Sequence, residues 1–150
     1  MMTTDVPKAT TGIGGKGIRL VRRLVVINLA LVALQALSAG FLMSGYAPAL
    51  KVHAAVAVAL QFGALIQAVA AVVQWRRGRV PAWVAGVSIG LFVIVFLQVG
   101  FGYRRLYWLH VPIGVGIFGG LTRQVNRLST LSCNDLTAKA LGMVAAQRSD

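Results

Sequence analysis

Residues 103–123 read YRRLYWLHVPIGVGIFGGLTR. Two arginines and an aromatic cluster lead into an apolar run that contains no acid, carries His110 near its start and closes on Arg123. Cations at the ends of an apolar run, with tyrosine and tryptophan beside them, are the marks of a helix that crosses a bilayer. The run itself, about residues 106–122, is close to the ~17-residue minimum for spanning hydrocarbon.

Three more apolar runs precede it, at about residues 24–43, 50–75 and 80–103. Each must be helical, because an open strand could not satisfy its backbone in lipid. Short loops between consecutive runs favour antiparallel neighbours. The fold class expected is all-α: a polytopic membrane protein whose domain, residues 18–123, is an antiparallel four-helix transmembrane bundle. Residues 1–17, rich in Gly and Thr, read as a flexible cytoplasmic tail. Residues 124–150 read as a cytoplasmic C-terminal tail with weak helical character around 136–146, capped by Asn134 or Asp135. Pro48, Pro81 and Pro112 are expected in the first turns of their helices.

Composition points the same way. The chain has 150 residues, is 57% hydrophobic and has a mean hydropathy of +0.76, well outside the range of soluble domains. Its three acids, Asp5, Asp135 and Asp150, all lie in the tails. The net charge of +12 would suit nucleic acid, but the cations sit at the ends of apolar runs rather than on one soluble face, so no nucleic-acid partner is expected. With the N-terminus inside, Lys51, Arg104 and Arg105 are the only outer cations among the 15 Lys and Arg residues. The expected location is therefore the plasma (inner) membrane, multi-pass, with both termini cytoplasmic. The single cysteine, Cys133, forms no intrachain disulfide, and no Cys-x-x-Cys-His occurs for covalent haem attachment.

The two histidines of the chain, His53 and His110, carry the only chemistry that the pattern offers. Each lies near the start of its run, and helices two and four of an up-down-up-down bundle point the same way. Both imidazoles then share one depth near the outer face. The two helices lie on a diagonal of the bundle, on the order of 12–14 Å apart, which leaves space for a metal or a haem iron between two inward-reaching rings. Ala57 and Gly114, one turn below the histidines, are small where a porphyrin would lie. Arg104 and Arg105 are placed to meet haem propionates, and Gln98 to orient a histidine. Each has a plainer reading: interfacial histidines, arginines snorkelling to lipid phosphates, and glutamine as interhelical glue. The pairs Gly86/Gly90 and Gly116/Gly120 read as close helix packing.

Other chemistries lack their residues. No carboxylate lies within a span, no Ser-His-Asp set exists, and two histidines alone are poor for catalytic zinc. A stand-alone enzyme is not expected.

The segments KVHAAVAVALQ, at 51–61, and LHVPIGVGIFG, at 109–119, resemble a group of small bacterial four-helix membrane proteins. With histidines near the outer ends of helices two and four, the chain also resembles one half of the haem A synthase bundle, over roughly residues 24–123. In that family the histidine pair ligates a b-type haem. The family's glutamate four residues before the second-helix histidine is here Ala49, and the second four-helix half is absent. The resemblance thus implies a haem-holding scaffold and not the synthase reaction.

Together these readings give an integral membrane protein that binds haem b through His53 and His110, in electron transfer or haem handling. Its expected partners are the lipid bilayer, other membrane subunits or a second copy, and a quinone. The alternative is a haem-free structural or accessory subunit of a membrane complex.

Overall fold

The computed structural model describes residues 15–148, and among them every regular element is helical. Four helices follow one another: α1 (Gly15–Met43), α2 (Ala49–Arg76), α3 (Ala82–Tyr103) and α4 (Tyr107–Gln147). Proline sets two of the starts, with Pro48 just before α2 and Pro81 just before α3, one position earlier than the first turn. Each of the first three helices ends in the same cap, in which an N–H beyond the helix reaches back to a carbonyl of the last turn. Tyr46 donates to Phe41, Arg79 to Gln74 and Leu106 to Phe101. The left-handed residue that this cap requires is Gly45, then Gly78, then Arg105, which is the only non-glycine residue with positive φ (56°) among the described residues.

Helices α1, α2 and α3 are long and apolar enough to cross a membrane. Helix α4 is not among them, because His110, Pro112 and four glycines dilute its apolar run before it reaches Arg123. Helix α1 packs on α2 and α4, and α3 packs on α2 and α4, so α2 and α4 occupy one diagonal and α1 and α3 the other. Between the helix ends the outer surface is apolar. Ile27, Leu37, Phe62, Ile66, Phe96 and Val115 are all more than half exposed, as side chains facing lipid would be. The core is built of small and branched residues, among them Val21, Val25, Leu60, Ala64, Val84, Val95, Ile117 and Leu121.

Several boundaries differ from those expected. Residues 15–17 open α1 instead of belonging to a tail, and the rest of that expected tail, residues 1–14, lies outside the described residues. Gly17 is buried where an added Cβ would stand 2.8 Å from the Cβ of Arg79, so a close approach of the α2–α3 loop holds this end. The expected C-terminal tail from residue 124 is a continuation of α4 as far as Gln147, and Asn134 and Asp135 lie inside that helix instead of capping another. No glycine or proline interrupts residues 121–141, and Gln124 and Leu128 are buried in the bundle. Pro112 is the sixth residue of α4, beyond the first turn. Its ring leaves the Trp108 carbonyl without a helical donor. The glycine pairs Gly86/Gly90 and Gly116/Gly120 do not mediate packing within the chain, since an added Cβ at any of the four would meet nothing within 4 Å.

Candidate functional site

His53 belongs to the second turn of α2 and His110 to the first turn of α4, where its N–H donates to the Leu106 carbonyl at 2.9 Å. The structure brings the two rings together. Their centres are 6.2 Å apart with an angle of 54° between the planes, although the helices that carry them do not pack on each other.

Each ring is held from the helix that precedes it. Nδ1 of His110 lies 2.9 Å from the Gln98 carbonyl of α3. A carbonyl can only accept, so Nδ1 carries a proton, and in the neutral ring Nε2 keeps its lone pair. Nδ1 of His53 lies 3.1 Å from the hydroxyl of Ser38 on α1, and that hydroxyl donates to the Gln35 carbonyl at 3.0 Å. With its proton so used, the Ser38 oxygen accepts from Nδ1. The Gln35 amide offers the opposite polarity. Turned with its nitrogen toward His53, it donates to the His53 carbonyl at 2.9 Å and stands 3.2 Å from Nδ1, while its oxygen accepts from Ala57 N–H at 3.3 Å. The tautomer of His110 is thus fixed by one neighbour, and that of His53 is contested by two.

Of the other residues expected at the site, Gln98 bonds directly to His110. Gln98 also donates its side-chain amide to the His110 carbonyl, so both its backbone and its side chain bind that residue. Gly114 does face inward, but an added Cβ would stand 3.1 Å from Nε2 of Gln98, so that amide fills the space in front of it. Gly102, which sequence reasoning passed over, lies under the His110 ring, where an added Cβ would come within 3.2 Å of Cε1. Arg104 and Arg105 form the short loop that leads into α4, both exposed. Arg104 borders a groove of about 240 Å³ with Phe96, Leu97, Gly100, Phe101 and Leu106.

A second polar layer lies deeper. Gln67 is 14 residues beyond His53 and Gln124 is 14 beyond His110, which on a helix is about 21 Å. Asn28 donates to the Gln67 oxygen at 2.8 Å, and Gln67 donates to Ser88 and to Gln124, each at 3.2 Å. Gln124 in turn donates to Ser88 at 3.2 Å. Every helix contributes one residue, and all four are at least 98% buried. Oδ1 of Asn28 has no hydrogen-bond partner and sits against the backbone of Gly63, where a Cβ would overlap it.

Chemically, the pair suits a metal that needs only two protein ligands. Among the described residues no third His, Cys, Asp or Glu joins them to make a metal-ligating group of three. A haem iron needs no third, since its macrocycle fills the equatorial positions. His53 and His110 would hold such a metal between them, and the 6.2 Å between their ring centres leaves room for two bonds of roughly 2 Å. Comparison of the chain with known protein families, characterised proteins and solved structures finds no match.

Proposed function

We propose that the chain is a four-pass plasma (inner) membrane protein that binds one haem b between His53 and His110, near the outer face, in electron transfer or haem handling. The observation that carries this reading is the 6.2 Å separation of two imidazoles, each with Nδ1 hydrogen-bonded by a group from its own hairpin. With Nδ1 so engaged, Nε2 is the nitrogen of each ring left to bind a common ligand. In this reading the first half of α4 is the fourth span, and Arg123 and Arg127 meet the inner headgroups beside Arg22 and Arg76. Both termini are then cytoplasmic, by the excess of Lys and Arg on that side. Arg104 and Arg105, at the histidine end, would face the haem propionates.

Bound iron would supply a one-electron couple. A single haem near one face cannot carry electrons across the bilayer, so the reading implies a redox partner such as a quinone, a second copy or another membrane subunit. A haem-free accessory subunit is the competing reading, favoured by two observations. The Asn28–Gln67–Ser88–Gln124 layer joins all four helices with no ligand, and 6.2 Å is also an ordinary aromatic spacing.

Visible spectroscopy of the detergent-purified protein, expressed with a haem precursor, separates the two. The haem reading predicts a sharp low-spin α-band of b type on dithionite reduction. A spectrum with no haem bands would leave the accessory reading.

A further inference from the structure

The two halves of the bundle repeat each other. An offset of 60 residues relates Asn28 to Ser88, Leu31 to Leu91, Leu37 to Leu97, Gly40 to Gly100 and Phe41 to Phe101, so LSAGF at 37–41 returns as LQVGF at 97–101. An offset of 57 relates His53 to His110, Val58 to Val115, Gly63 to Gly120 and Gln67 to Gln124. The difference falls in the loops, since that between α3 and α4 is shorter than that between α1 and α2.

The structure carries the repeat beyond identity of residues. Helices α1 and α3 end at Met43 and Tyr103, which are themselves 60 apart. Both close with the same cap, Tyr46 N–H to Phe41 and Leu106 N–H to Phe101, with the left-handed position held by Gly45 in one and Arg105 in the other. Leu60, Ala64, Gln67 and Ala71 are buried on α2, and their counterparts Ile117, Leu121, Gln124 and Leu128 are buried on α4. Exchanging α1 with α3 and α2 with α4 leaves the set of packed pairs unchanged. The bonds Asn28–Gln67 and Gln124–Ser88 are also exchanged for one another. These are the marks of two parallel repeats about an axis along the bundle.

The residues that hold the histidines obey the same rule. Ser38, which faces His53 Nδ1, is 60 residues before Gln98, whose carbonyl faces His110 Nδ1. We infer that the chain is a tandem repeat of one helical hairpin, and that Ser38 and the Gln98 backbone are matched positioning groups. Each presents the Nε2 lone pair of its histidine to a single ligand on the axis between the repeats. This rests on the two-histidine site proposed above, and it adds that the two halves of the site are related by the repeat. The two anchors differ in strength. His110 is locked by a carbonyl, whereas Ser38 holds His53 in the same tautomer against the contrary pull of the Gln35 amide.

The test reads tautomers without any cofactor, so it is independent of whether haem binds. The full chain, labelled with 15N-histidine and kept free of haem in detergent, is compared with Ser38→Ala and Ser38→Thr at a pH where both rings are neutral. The expected result is that both histidines are protonated at Nδ1. Ser38→Ala then shifts His53 toward the Nε2-protonated form without moving His110, and Ser38→Thr restores it. A wild-type His53 protonated at Nε2 would overturn the inference, as would a His53 signal unmoved by Ser38→Ala. The wild-type spectrum alone decides if a variant does not fold.

Discussion

The ring of His110 lies 6.2 Å, centre to centre, from that of His53, while α4 and α2 stand on the diagonal of the bundle and touch only through such side chains. A site formed across a diagonal depends on both helices keeping their depth and rotation. Its energetics therefore reside largely in the residues that register α2 against α4.

Each histidine is required if the pair holds one iron. His53→Ala and His110→Ala, each expressed with a haem precursor, are expected to lose the low-spin spectrum while remaining in the membrane. A variant that keeps a six-coordinate haem would remove that histidine from the ligand set.

Gln67 is the hub of the deep polar layer, bonded to Asn28, Ser88 and Gln124. Gln67→Leu strands the Asn28 amide on α1 and the Gln124 oxygen on α4, while Ser88 keeps its bond from Gln124. The expected loss is about 1–2 kcal/mol, since interhelical hydrogen bonds in membranes are individually modest but unpaired buried groups are costly. Denaturant titration in mixed micelles would measure it, and an unchanged midpoint would mean the layer contributes nothing to stability.

Gly63 and Gly120 are counterparts with opposite surroundings. A Cβ at Gly63 would overlap the Asn28 amide, whereas Gly120 has nothing within 4 Å. Gly63→Ala is expected to cost about 1–3 kcal/mol through overpacking. Gly120→Ala should be neutral or stabilise by up to about 1 kcal/mol through helix propensity. Equal effects in the same titration would contradict this asymmetry.

Arg105 holds a left-handed conformation, φ 56°, at the position where the first hairpin has Gly45. A side chain costs roughly 1 kcal/mol there, so Arg105→Gly is expected to raise stability. If the guanidinium meets a propionate, the same variant should bind haem more weakly, and a haem titration beside a thermal melt reads both effects.

The spans of α1, α2 and α3, and the diagonal placement of α2 and α4, were legible because hydropathy and short loops determine them directly. The rest was hidden by the inverted polarity of the molecule. Its outer faces are apolar, with Phe62 and Val115 exposed, while its centre holds Asn28, Gln67, Ser88 and Gln124. Hydropathy therefore cannot separate a lipid face from a core face. For that reason Gln124 reads as tail, and Gly116/Gly120 as a packing motif. The true close approaches, at Gly17 and Gly63, depend on which side chain a neighbouring helix brings opposite them. The contacts of Ser38 and of the Gln98 backbone with the histidines arise only from tertiary register. Spacing was a further signal in the sequence, since a histidine stands 14 residues before a glutamine in both runs and LSAGF at 37–41 returns as LQVGF at 97–101.

The most direct test of the central claim is the low-temperature electron paramagnetic resonance spectrum of the oxidised, purified protein. Two imidazoles on one haem predict a low-spin ferric signal of bis-histidine type, with one haem per chain. A high-spin signal, or no haem iron in protein produced with ample haem, would contradict the account.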